Sequence, residues 1–183
     1  MTSHGWHARS AGAAGMLRAP FFLHLVLLAA GAGAAERHTA LPAPVDLSID
    51  GKQAAKRGRP VVILFSLPDC PFCDVVRQNY LAPLARDLPE PQRPILREVQ
   101  ITGAAKFSGF DRKQVSHRDL ASRYGARFAP TVVLTDGKGN LLTQPVIGGD
   151  VAGLYGAYLE NALAEASHKM ARSQSHKIQG RTQ

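Results

Sequence analysis

Residues 61–73, VVILFSLPDCPFC, join a strand-like sequence to a pair of cysteines. Val61–Phe65 is a continuous apolar run rich in β-branched residues, which is typical of a strand buried on both faces in the middle of a sheet. A short turn follows, and a helix is expected to begin at Cys70, with Pro71 at a tolerated first-turn position. The stretch therefore predicts a strand, a turn and a helix, with Cys70 and Cys73 one helical turn apart.

This placement favours redox chemistry at the two cysteines. The unpaired amides and the positive dipole end at a helix start stabilise a thiolate at Cys70. Cys73 can reach back to it, so Cys70 is the predicted attacking thiol and Cys73 the resolving thiol. A structural bridge is a poorer interpretation, because so short a loop gives only about 2 kcal/mol of chain entropy. A closed zinc site needs four ligands that no second cysteine pair supplies, so we predict neither a metal nor a cofactor.

The surrounding sequence predicts an α/β domain over residues 45–166. The expected order is α-β-α-β-α-β-β-α, which implies a mixed central sheet of about four strands flanked by helices. The predicted elements are a helix at Asp46–Arg57, a strand at Ile95–Ile101, a loop at Gly103–Lys113, a helix opened by a capping box at Ser116–Asp119, strands at Thr131–Thr135 and Leu141–Val146 around an Asp136–Asn140 turn, and a helix that follows Gly148–Asp150 and ends near Ala166.

The first 35 residues have the pattern of a secretory signal peptide. Arg18 precedes the apolar run Phe21–Ala30, and an Ala-x-Ala site follows at Ala32–Ala34. Counted from Met16 the segment has ordinary proportions, so Met16 is an alternative start. The run is shorter than the ~20 residues that a membrane span needs, and an uncleaved anchor is the alternative to cleavage. The expected location is the periplasm.

The basic charge lies mostly at the two ends of the chain. The whole chain has a net charge of +8; residues 1–35 carry two basic residues and residues 167–183 carry four, with no acidic residue in either segment. Residues 36–166 therefore retain only +2, which argues against a nucleic-acid-binding surface on the folded domain. We expect an extended lead-in at residues 36–44 and a basic flexible tail at residues 167–183.

Residues 45–166 resemble the thioredoxin-like superfamily. The matching features are the Val61–Phe65 strand, the Cys70–Cys73 motif, the Ala129–Thr131 segment, the Asp136–Asn140 turn and the terminal helix. The resemblance implies that Pro130 is cis and faces the cysteine sulfurs. It also implies that the backbone of Ala129 hydrogen-bonds an extended substrate. Phe72, Ala129, Pro130 and Thr131 are the expected substrate-binding residues.

Several residues depart from the thioredoxin pattern. Asp69 replaces the aromatic residue that commonly precedes the first cysteine, and a carboxylate there opposes thiolate formation. Leu64 stands where thioredoxins often bury an acid; Glu98 could substitute, although a solvent-facing position is the favoured interpretation. The Pro71-Phe72 pair is similar to that of glutaredoxins. Ile147–Asp150 resembles a glutathione-binding stretch, but a turn and helix cap is favoured over glutathione binding.

These observations predict a periplasmic thiol–disulfide oxidoreductase that acts on disulfide-containing proteins. Asp69 pushes the pair toward a reducing potential and Pro71-Phe72 toward a less reducing one; a reductase is favoured, and it would need a membrane electron donor. The alternatives are a non-enzymatic binding module on a thioredoxin-like surface and a copper or other metal carrier. Copper delivery in related folds uses a three-residue gap between cysteines and a distant histidine, whereas the gap here is two residues.

Overall fold

The strand predicted at the cysteine motif forms part of a four-stranded sheet in the computed structural model, which describes residues 40–179. This strand, β1 (Val61–Ser66), is buried along its whole length. It pairs in parallel with β2 (Ile95–Gln100) and antiparallel with β5 (Thr131–Thr135), and β6 (Val146–Ile147) pairs antiparallel with β5. The order β2-β1-β5-β6 gives a mixed sheet, as predicted.

Helices cover both faces of the sheet. Alternate residues of β1 point to opposite faces, so Leu64 belongs to one apolar cluster and Ile63 and Phe65 to the other. The helices are α1 (Leu47–Arg57), α2 (Pro71–Val75), a π-helical segment (Val76–Leu81), α3 (Ala82–Arg86), a 3-10 turn (Glu90–Gln92), α4 (His117–Arg123) and α5 (Tyr155–Gln179).

The helix boundaries that depend on local chemistry match the sequence-based expectation. The Asp46 carboxylate accepts the amide hydrogens of Ser48 and Ile49 at 2.8 and 3.2 Å and so caps α1. Gly58, with φ of 66°, ends the same helix in a left-handed conformation. At α4 the Ser116 hydroxyl oxygen accepts the Asp119 amide hydrogen at 3.2 Å, as the capping box predicts.

Two segments of irregular sequence differ from the prediction. The stretch predicted as a loop, Gly103–Lys113, contains β3 (Lys106–Ser108), which forms a small antiparallel hairpin with β4 (Gln114–Ser116) directly after the loop. The predicted strand at Leu141–Val146 is shorter than expected: β6 covers only Val146–Ile147, and Leu141 forms an isolated bridge to Thr135.

The C-terminal residues also differ from the prediction. The expected flexible tail is helical through Gln179, because α5 continues well past Ala166. Met170 is buried, and the Gln174 side chain donates a 2.9 Å hydrogen bond to the Ala55 carbonyl of α1. The helix is therefore packed against the domain as far as Gln174.

The chain enters the described part along the outer edge of the sheet. The Pro42 carbonyl accepts the Glu98 amide hydrogen at 3.0 Å, so the lead-in covers the edge of β2. The predicted signal peptide lies outside the described residues. Within residues 40–179, none of the helices combines the length and apolarity needed to cross a bilayer.

Candidate active site

The two cysteines lie at the start of α2, directly after the turn that leaves β1. Cys70 is the N-cap of α2 and is half-buried, whereas Cys73 in the first turn is fully buried. They form a disulfide with Cα atoms 5.2 Å apart. The Cys73 amide donates to Cys70 Sγ at 3.2 Å, so the sulfur occupies the position in which a helix N-terminus stabilises negative charge.

Asp69 and Pro71 flank the first cysteine and fix the local backbone. Pro71 occupies the first turn of α2, where its missing amide hydrogen costs nothing. Asp69 has φ of 51°, a left-handed conformation that aspartate tolerates better than a bulky residue does. Its side chain is exposed, and the helix is capped by Cys70. Solvent therefore screens the charge of Asp69 from the cysteine pair.

The segment Ala129–Thr131 lies at the same end of the sheet as the cysteines. Thr131 pairs with Phe65, near the carboxyl end of β1, and the chain turns from there to Cys70. The Ala129–Pro130 peptide bond is cis, as predicted. The Pro130 carbonyl accepts the Gly148 amide hydrogen at 2.9 Å.

Thr131 has a supporting position within this segment. Its side chain is buried, and its hydroxyl donates to the Phe128 carbonyl at 2.8 Å. The hydroxyl therefore holds the turn that carries Ala129 and Pro130. Pro130 is buried as well, and Ala129 is the one residue of the segment with partial exposure, so the substrate contact expected here could involve only Ala129 directly.

Exposed apolar side chains lie at the same end of the sheet as the disulfide. Phe72 follows Pro71, is 54% exposed and lies against Gly149, where an added Cβ would come within 2.9 Å of it. Phe128 directly precedes Ala129, Ile147 pairs with Thr131, and these two are 68% and 61% exposed. Phe128 was not among the residues expected from the sequence, although its position directly before Ala129-Pro130 was the available signal. Together they leave apolar surface exposed at this end of the sheet.

A buried ion pair lies one helical turn beyond Cys73. Arg77 donates to both carboxylate oxygens of Glu98, with Nε–Oε2 at 2.9 Å and Nη2–Oε1 at 2.6 Å, and also to Asp74. The favoured expectation of a solvent-facing Glu98 was wrong, because the lead-in covers β2 and Arg77 covers the carboxylate. Burial by itself raises the pKa of Glu98, but hydrogen bonds from Arg77, Ser66 and the Leu41 amide outweigh it and lower that pKa overall.

The π-helical segment ties the motif helix to the loop after β6. The Tyr80 hydroxyl donates to the Asp150 carboxylate, and the Tyr80 and Tyr155 rings lie 5.0 Å apart between centroids. The Asp150 carboxylate also accepts the Tyr155 amide hydrogen at 3.5 Å, so it contributes to the start of α5. Asp150 thus makes turn contacts, but α5 begins only at Tyr155, so Asp150 does not occupy the N-cap position that was favoured for it. Within residues 40–179, no cluster of three or more His, Cys, Asp or Glu side chains could hold a metal ion.

Comparison with known proteins gives one family match. The family model described as a thioredoxin-like domain matches residues 47–153, more than half of the chain. No curated protein matches the sequence.

Three solved structures are similar to the chain at low identity. A thioredoxin-fold protein from Helicobacter pylori is 15% identical with a TM-score of 0.45, over 67% of this chain and 86% of its own. Oxidised mitochondrial thioredoxin 3 from Saccharomyces cerevisiae is 20% identical with a TM-score of 0.46, over 70% and 97%. A DsbH oxidoreductase is 16% identical with a TM-score of 0.41, over 68% and 87%.

Proposed function

Because the chain belongs to the thioredoxin-like domain family, we propose that it is a thiol–disulfide oxidoreductase that acts on proteins in the periplasm. The observation that carries the proposal is the position of Cys70. Its sulfur is half-buried, stands at a helix N-terminus and accepts the Cys73 amide hydrogen. A thiolate formed there is stabilised and remains accessible to a substrate disulfide.

The reaction needs only the two thiols and the substrate. In the reduced protein, the Cys70 thiolate attacks one sulfur of the client disulfide, and the other client sulfur leaves as a thiolate. The Cys73 thiolate then attacks Cys70 Sγ, which forms the bond seen here and releases the second client thiol. Two electrons pass from the protein dithiol to the client. A membrane electron donor would then reduce Cys70–Cys73 again.

The charge beside the motif supports the reducing direction. Asp69 directly precedes the pair and is exposed, whereas the Asp74 carboxylate in the first turn of α2 is compensated by Arg77. The Asp69 carboxylate disfavours negative charge on the sulfurs, which favours the disulfide over the dithiolate and makes the dithiol a better reductant. We expect a reduction potential nearer the value of about −270 mV typical of thioredoxin than that of about −120 mV for a strong oxidant.

Insulin reduction with dithiothreitol as donor tests the activity. Cys70→Ser should abolish turnover, because no attacking sulfur remains. Reduced Cys73→Ser, mixed with insulin after the dithiothreitol has been removed, should form a mixed disulfide that persists, because the resolving sulfur is absent. Unchanged turnover in either variant would exclude the mechanism. A stoichiometric copper signal in the reduced protein without disulfide exchange would support a metal carrier instead.

The predicted export signal needs its own test. Fusing residues 1–35 to a phosphatase that is active only after export should give an active enzyme. The same fusion with Leu25→Arg, which interrupts the apolar run, should be inactive. Activity that does not depend on the apolar run would refute the periplasmic location.

A further inference from the structure

Part of the basic C-terminal sequence belongs to α5, which packs against the domain. The sequence after Ser167 carries Lys and Arg but no acidic residue. The helix packs Met170 into the core and brings Gln174 to the Ala55 carbonyl in the last turn of α1. This contact sets the basic part of α5 beside the C-terminal end of α1, which is itself basic.

The end of α1 and the adjoining part of α5 carry a positively charged surface, here called the basic face. It comprises Arg57, Arg59 and His168 at the groove between the two helices, Lys56 next to Arg57 in the chain, and Arg172 one helical turn after His168. Arg57, Arg59 and His168 line a groove of about 410 Å³ between the two helices. Among the described residues, no carboxylate forms an ion pair with the exposed Lys56 or Arg172, whereas Arg57 pairs with Glu90 at 2.7 Å.

The charge exceeds what the end of α1 requires. A helix C-terminus carries about half a negative charge, which applies to α1, whereas His168 and Arg172 lie well before the end of α5 at Gln179. Four Lys and Arg side chains less the Glu90 carboxylate leave a charge of +3 on the basic face. More than two positive charges therefore remain for an external anionic partner.

The basic face lies at the opposite end of the sheet from the disulfide. Arg59 precedes the first residue of β1, whereas Cys70 follows its last residue. The six residues of β1 separate the two ends by about 20 Å. None of the residues that line the groove is Phe, Tyr or Trp. The face can thus contact phosphate groups but offers no platform of the kind on which nucleic-acid bases stack.

We propose that the basic face binds the surface of a bilayer containing anionic phospholipids. The charge of the face is complementary to such a surface, and each Lys or Arg near it adds to the attraction. Residues 1–39 precede the described part and include the apolar run Phe21–Ala30, whose predicted role brings the chain to a membrane. Bound in this way, the domain would keep Cys70–Cys73 on its far side, open to a protein substrate. The proposal does not depend on the thiol chemistry.

Flotation with phosphatidylcholine vesicles, with and without 30% phosphatidylglycerol, tests the proposal on the full chain. Lys56→Gln/Arg172→Gln removes two exposed charges that make no ion pair with a described carboxylate. Each lost charge should lower partitioning onto anionic vesicles about fivefold, and the pair about 25-fold. The matched control is Lys106→Gln/Arg118→Gln, which removes two exposed charges near the other end of the sheet and should change partitioning less than threefold. Circular dichroism of each variant checks that it is folded.

The outcomes separate this proposal from its alternatives. The proposal is supported if Lys56→Gln/Arg172→Gln loses binding while the control charge variant and Cys70→Ser/Cys73→Ser still bind. Equal losses in both charge variants would show a response to net charge alone and overturn it. An equal gain in partitioning from phosphatidylglycerol in wild type and in Lys56→Gln/Arg172→Gln would also overturn it, as would tighter binding to duplex DNA at the same phosphate concentration. Insulin reduction is measured separately, so failure here leaves the proposed oxidoreductase activity standing.

Discussion

Arg77→Met should strongly destabilise the oxidised protein. The Arg77 and Glu98 side chains are only 9% and 12% exposed, and they share two hydrogen bonds. Removing one partner of a buried ion pair costs about 3–5 kcal/mol, because the other charge stays buried without its counterion. Glu98 keeps the Ser66 and Leu41 donors. We therefore expect the free energy of unfolding to fall by about 3 kcal/mol, which corresponds to a fall in Tm of roughly 6–12 °C for a chain of this size.

The loss of stability in Arg77→Met should become smaller as the pH falls. In the wild type the pKa of Glu98 is lowered, so its contribution to stability is present above the unfolded-state pKa and is lost as pH falls through the folded-state pKa. Without Arg77 the buried carboxyl should have a raised pKa and bind a proton more readily. The stability difference between wild type and Arg77→Met should therefore be largest at pH 7 and shrink toward pH 4.5.

Urea unfolding of the oxidised proteins at pH 7 and pH 4.5 measures both effects. Arg77→Met/Glu98→Leu should recover most of the loss, because no buried charge remains. Arg86→Met is the matched control, since its ion pair with Asp87 is exposed and worth less than about 1 kcal/mol. A loss below 1 kcal/mol in Arg77→Met, or one that is equal at both pH values, would refute this account of the pair.

Three further predictions concern packing and protonation elsewhere in the domain. Gly51→Ala should lower the free energy of unfolding in urea by about 2 kcal/mol or more, because the new Cβ would lie 2.2 Å from the Gly137 carbonyl oxygen; the exposed Gln53→Ala on the same helix should not. His117 Nδ1 accepts the Gln100 amide hydrogen at 3.0 Å and burial lowers its pKa, so the unfolded chain binds the proton first as pH falls. The free energy of unfolding should then decrease as pH falls from about 7 to 5, and this decrease should be smaller in His117→Asn. A chain that stops at residue 166 should lose about 1.5–3 kcal/mol in the same urea assay, because Met170 would no longer be buried.

Each of these three predictions has a contradicting result. Wild-type stability in Gly51→Ala would mean that α1 can move away from the Gly137 turn at little cost. Identical pH profiles for wild type and His117→Asn would show that the imidazole does not titrate in that range. A shortened chain as stable as the full one would restore the flexible-tail interpretation of the C-terminus.

The features that could be predicted from sequence depend on neighbouring residues. The apolar run of β1 and the cap at Asp46 each involve groups within a few positions of one another, so the local pattern carries the information. The cysteine pair belongs to the same class, because a three-residue spacing at a helix start already fixes the geometry.

The features that were missed depend on distant parts of the chain. The β3–β4 hairpin has strands of only three residues, and an isolated bridge between Asp46 and Ser108 joins it to the start of α1. The basic end of α5 is placed by a hydrogen bond between residues 119 positions apart, Gln174 and Ala55. Glu98 is buried because the lead-in and Arg77 cover it. Composition and periodicity report none of these contacts, since each partner is specified elsewhere in the sequence.

The path of the lead-in limits how far the N-terminus can be trimmed. The Leu41 amide donates to the Glu98 carboxylate at 3.2 Å, and the Pro42 carbonyl binds the Glu98 main chain. A protease cut after residue 42 would remove both bonds, expose the edge of β2 and leave the Glu98 carboxylate with fewer hydrogen-bond donors. The unpaired backbone groups of an exposed strand edge can pair with other chains. Maturation at the Ala32–Ala34 site would leave several spare residues ahead of Leu41, whereas a cut ten residues later would yield a product prone to self-association.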